Sequence, residues 1–125
     1  MMKNVMVVII YVVLSACQTK RVTISDLNFS DWKNDKLGCV HYRQNTKGTL
    51  EKNKEILLSL TENEIANTFG FPEKTELIGR SEKYYFYSLS GNTKCQDSLR
   101  LLHSYLRIRF NSLGYSKEIL FLQEK

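Results

Sequence analysis

The hydrophobic positions of this chain change their period along its length. From Val5 to Leu14 they form one uncharged run, with Lys3 before it and the small residues Ser15 and Ala16 after it. Residues 18 to about 30 are polar with a few apolar positions. Trp32 to Arg43 then reads W-K-N-D-K-L-G-C-V-H-Y-R, where Asp35 and Gly38 are turn formers. His41 to Leu58 carries a very polar helical pattern, with Leu50, Ile56, Leu57 and Leu58 as its apolar positions and Gly48 as its weak point. Thr61-Glu62-Asn63-Glu64 is a capping box, since the Thr61 hydroxyl can accept from the third helical N–H and Glu64 can reach back. It predicts a short helix from Glu62 to Phe69, with Ile65, Ala66 and Phe69 inward, stopped by Gly70 ahead of Pro72.

Beyond Pro72 the period falls to 2. Residues 74–79, 83–89, 105–110 and 115–122 read as strands, separated by turn residues at Ser90-Gly91-Asn92-Thr93 and Asn111-Ser112-Leu113-Gly114. In the third strand Leu106, Ile108 and Phe110 share one face, and Tyr105, Arg107 and Arg109 share the other. Two helices followed by several strands predict an α+β domain, and the short connections predict antiparallel pairing.

The N-terminal run has the parts of a secretory signal peptide: a positive charge, an apolar stretch and small residues. It is too short to span a bilayer, which takes roughly 20 helical residues. Leu14-Ser15-Ala16-Cys17 resembles the lipobox of bacterial lipoproteins. That resemblance implies cleavage before Cys17, a diacylglyceryl group on its sulfur and acylation of its new amine, enough acyl chain for stable anchoring. Gln18, in place of an Asp, favours the outer membrane. The chain thus divides into a leader (1–16), a lipidated cysteine with its tether (17–30) and one domain (31–125).

The 125 residues carry a formal charge of +5, and Lys3 is the only charged residue of the leader, so +4 remains after cleavage. Lys and Arg are scattered, which fits a solvated, mildly basic surface. An exported protein rarely meets nucleic acid, so none is expected as a partner. With Cys17 assigned to lipid, Cys39 and Cys95 are expected to form a disulfide in an oxidising compartment. It would close a loop of about 57 residues and stabilise the fold by about 4 kcal/mol.

Catalytic chemistry is not evident. No serine or cysteine sits in a nucleophile motif beside a base. The two histidines, His41 and His103, stand at C-x-H and C-x7-H spacings from Cys39 and Cys95, which do not match structural zinc sites. No enzyme activity, metal or cofactor is expected. Arg43 is expected to pair with Asp35 or Glu51. Trp32 reads either as core or as an exposed anchor of the kind enriched at interfaces. The aromatic run from Tyr84 to Tyr87 must supply both faces of its strand. One face belongs to the core; the other, with Tyr85 and Tyr87, joins Trp32, Arg107 and Arg109 as a candidate protein interface.

The order of elements, the segment L-T-E-N-E-I-A-N-T-F-G-F-P and the following Y-Y-F-Y strand resemble the SmpA/OmlA family of BamE-like lipoproteins, over about residues 31 to 122. The residues that carry the likeness are Thr61, Glu64, Ile65, Phe69, Gly70 and Pro72. Trp32, Asp35, Gly38, Cys39, Arg43 and Cys95 also resemble a set of lipoproteins from the Bacteroidetes. The chain departs from the family in its longer, more polar first helix and its cysteine pair. The resemblance implies two N-terminal helices packed on a three- to four-stranded antiparallel sheet. It also implies a non-catalytic accessory or scaffold role in the cell envelope, such as outer-membrane protein assembly, with an envelope protein as partner. The alternative it carries is a binding or inhibitor module for a specific extracytoplasmic protein or ligand.

Overall fold

A computed structural model of the protein describes residues 22–96 and 102–124. Cys17 and the leader lie outside the described residues. The chain is α+β, with the helical segments ahead of the sheet. Helix α1 (Phe29–Asn34) is followed by a 3-10 turn (Lys36–Gly38), α2 (Tyr42–Asn45), α3 (Lys47–Lys52), a second 3-10 turn (Lys54–Leu57) and α4 (Glu62–Phe69). Strands β1 (Lys74–Ile78), β2 (Glu82–Ser90), β3 (Ser104–Phe110) and β4 (Ser116–Gln123) form one antiparallel sheet in the order β1-β2-β3-β4.

Helix α4 has the expected bounds and the expected cap. The Glu64 N–H donates to the Thr61 hydroxyl at 3.1 Å, and that hydroxyl lies 3.2 Å from the Glu64 carboxylate. Ile65 and Phe69 are buried, and Gly70 leaves the helix at φ 86°. The helix expected over residues 41–58 is instead three short pieces. His41 enters at φ 68°, a left-handed conformation that cannot continue a helix, and Asn53 (φ −113°) breaks the chain again before the 3-10 turn. Helix α1 was not expected. Its signal is Asn28, whose side chain accepts from the Ser30 and Asp31 N–H groups.

The core lies between the helices and one face of the sheet. Trp32, Leu50, Leu57, Ile65 and Phe69 meet Tyr87, Leu89, Leu106, Ile108 and Phe110 there. Val22 and Ile24 are buried in the same cluster, so the domain begins before residue 31 and takes in residues 22–30 of the expected tether. Burying a large apolar side chain contributes roughly 1.5–3 kcal/mol, and these two residues fasten the N-terminal segment to the body of the domain.

Candidate functional site

Among the described residues the helices cover one face of the sheet, and register decides which residues the other face carries. Tyr84 pairs with Glu76 and Arg109, and Phe86 pairs with Lys74 and Arg107. Tyr105 pairs with Ser88 and Leu122, Arg107 with Leu120, and Arg109 with Glu118. These side chains form the open face. An aromatic line crosses it from Tyr84 to Phe86 (ring centroids 5.9 Å apart), Tyr105 (5.6 Å further) and His103 (5.4 Å further). The Arg107 guanidinium lies 4.3 Å from the centre of the Tyr84 ring, and the Lys74 ammonium lies 5.2 Å from that of Phe86. Arg107 and Arg109 also approach Glu118 and Glu82, at 3.5 Å each. Such half-exposed pairs contribute little stability, about 0–1 kcal/mol, but they fix where the charges stand. The Arg107 Nε–H is shielded and has no acceptor among the described residues.

This arrangement corrects the expected interface. Arg107 and Arg109 are on the open face. Tyr85 and Tyr87 are on the other one, opposite Ile108 and Leu106. Tyr87 is wholly buried, its hydroxyl donating to the Gly70 carbonyl at 2.8 Å. Tyr85 packs against the core and donates to Glu62 at 3.1 Å. Burial, reinforced by the Glu62 charge and hydrogen bond, pushes the Tyr85 hydroxyl up to about 12. Burial pushes that of Tyr87 further in the same direction. Trp32 is wholly buried, between Phe69 and Tyr87, and is a core residue rather than an anchor. The aromatics that the open face presents are therefore Tyr84, Phe86 and Tyr105. Alternation alone could not choose between the two parities.

The W-x-x-D-x-x-G-C-x-x-x-R stretch closes an edge of the sheet. Strand β1 stops pairing with β2 at Phe86, which leaves Tyr87 to Ser90 without a neighbour on that side. The stretch folds over this gap. Asp35, buried, accepts from the Val40 N–H (2.8 Å) and the Arg43 N–H (2.9 Å). Gly38 sits at φ 71° so close to β2 that a side-chain carbon there would overlap the Leu89 carbonyl. Cys39 is bonded to Cys95, as the sequence predicts. Arg43 stacks on Trp32, donates from Nε to the Trp32 carbonyl (2.9 Å) and from a terminal nitrogen to the Ser88 carbonyl (3.1 Å), and pairs with Glu73. Its partner is thus Glu73, not Asp35 or Glu51. Each residue of the motif has a structural duty at an edge that would otherwise expose backbone.

Beside this edge a cleft of about 310 Å³ is lined by Ser88, Asn92, His103, Tyr105 and Glu124, among others. His103 stands between Ser88 (Nε2 to Oγ, 3.2 Å) and Glu124 (Nδ1 to Oε2, 3.3 Å). This alignment has no signature in the sequence, because the three residues come from two strand ends and the C-terminal segment. In outline it is the order of a nucleophile, base and carboxylate. Ser88 is only 4% exposed, however, and its hydroxyl also lies 3.4 Å from the Asn92 amide. A nucleophile must reach its substrate; this one is enclosed by its partners. The three side chains cross-link the ends of β2 and β3 to the C-terminal segment. Among the described residues no group of three or more His, Cys, Asp or Glu could hold a metal ion.

No protein-family model, no curated protein and no solved structure matches this chain, so the geometry and the sequence together carry the reading of its role.

Proposed function

We propose that this chain is an exported lipoprotein, held at the outer membrane by lipid on Cys17, whose domain binds another envelope protein through the open face of its sheet and catalyses nothing. The observation that carries the binding reading is that face: Tyr84, Phe86 and Tyr105 in line, flanked by Arg107 and Arg109. Aromatic and Arg side chains supply most interface energy because they combine large area with directed hydrogen bonds. The leader, the lipobox-like Leu14–Cys17 segment and a disulfide that suits an oxidising compartment support the address. The SmpA/OmlA-like order of elements supports an accessory or scaffold role, with outer-membrane protein assembly as the process. An inhibitor or binding module for one extracytoplasmic protein would use the same face.

Crosslinking in the intact envelope, followed by mass spectrometry, separates these roles. Recovery of barrel-assembly components supports the accessory role, and a single soluble target supports the inhibitor. Substituting Tyr84→Ala with Arg107→Glu should abolish capture while leaving the domain folded. Capture that survives the double substitution would refute the assignment of this face.

A further inference from the structure

We infer that the end of the domain where Val22, Phe29, Lys33 and Phe71 meet faces the lipid bilayer, with the Phe71 ring seated at the boundary between headgroups and acyl chains. The inference rests on the lipid-anchor reading above. Phe71 is 90% exposed, the most exposed large apolar side chain among the described residues. Its backbone is held on both sides. The Gly70 N–H donates to the Ala66 carbonyl (2.8 Å), the Gly70 carbonyl accepts from Tyr87 (2.8 Å), and the Glu73 N–H donates to the Phe86 carbonyl (3.1 Å). Pro72 fixes one further torsion. The ring is therefore displayed on a stiff knuckle, not on a loose loop.

The same end of the domain receives the chain. Val22 and Phe71 line one cleft of about 650 Å³, running between α1 and α4. Five residue steps separate Val22 from Cys17. Fully extended they span at most about 18 Å. A lipid on Cys17 thus confines this cleft to the neighbourhood of the headgroups, whatever path the chain takes. Charge agrees: among the described residues Lys33 is the sole charged one lining the cleft, and Lys20 and Arg21 precede Val22 in sequence. Basic side chains beside an exposed aromatic are the composition that settles at an anionic membrane surface. The occupant is the bilayer rather than a protein partner because the short connection sets this end against lipid before any partner arrives. Docked this way, the domain has a fixed orientation.

The test uses the full chain in cells, with a photoreactive phenylalanine analogue at position 71 or, as control, at position 113. Leu113 is 80% exposed and lies beside the opposite end of α4. Acyl labelling of Cys17 is measured in the same cells. A glycerophospholipid adduct at position 71 and none at position 113 is the expected result. Acylated Cys17 with only protein adducts, no adduct, or equal lipid adducts at both positions would overturn this orientation and leave the anchor standing. Absence of acyl label would overturn both.

Discussion

Arg43 and Trp32 are joined twice: the guanidinium lies 4.0 Å from the centre of the indole ring, and its Nε–H donates to the Trp32 carbonyl. Arg43 also reaches Glu73 and the Ser88 carbonyl. Arg43→Ala would leave a largely buried carboxylate and two carbonyls without their donor. Breaking a buried pair from one side costs about 3–5 kcal/mol; the part-exposed Glu73 places this case at the lower end. Urea denaturation should show it as a lower midpoint with an unchanged slope. A loss below about 0.5 kcal/mol would show that the clamp adds nothing to the edge.

The bond between Cys39 and Cys95 ties the first 3-10 turn to the loop after β2, across 56 positions of sequence. Constraining a loop of that size should stabilise the fold by about 4 kcal/mol. The double substitution Cys39→Ser with Cys95→Ser should lower the melting temperature by well over 10 °C for a domain of this size. Calorimetry of oxidised and reduced wild type is the matching measurement, and equal melting temperatures would contradict it.

Alkaline pH should unfold the domain through Tyr85 and Tyr87. Both hydroxyls are raised above the ordinary value of 10.0, Tyr85 to about 12. The folded state therefore keeps protons that the unfolded chain releases above pH 10. Their contribution is complete below pH 10 and is lost as pH climbs towards 12. Thermal melts from pH 8 to 12 should fall over that interval, and less steeply for Tyr85→Phe. An equally steep fall in that variant would assign the effect elsewhere.

Ser88, His103 and Glu124 give a direct test of catalysis. If they act as a cross-link, Ser88→Ala and His103→Ala should each cost about 1 kcal/mol, the ordinary worth of a hydrogen bond. Neither should alter hydrolysis of an activated ester, measured against buffer. Turnover by the wild type that disappears in Ser88→Ala would make this an enzyme.

Local signals proved legible where they were self-contained. The capping box and Gly70 gave α4 its two ends, because Thr61, Glu64 and Gly70 act within a few residues of one another. Alternation gave the strands to within a residue or two. It could not give the parity of Tyr84 to Tyr87, because that depends on which β3 residues stand opposite. Once Tyr85 is set against Ile108 and Tyr87 against Leu106, the choice is forced. The Arg43–Glu73 pair was hidden for the same reason, since 30 positions separate the two residues. The left-handed conformation of His41 has no signature in a residue of that type. The open face was half visible: Arg107 and Arg109 followed from alternation, and their aromatic neighbours waited on register.

The disulfide also sets an order of events. Until the two thiols join, the strip over Tyr87 to Ser90 is held by Arg43 and by the packing of Gly38 alone, without a covalent latch. If the chain is exported as proposed, a reducing interior would deliver it to the translocation pore without that bond. Oxidation on the far side would then make the finished shape hard to reverse.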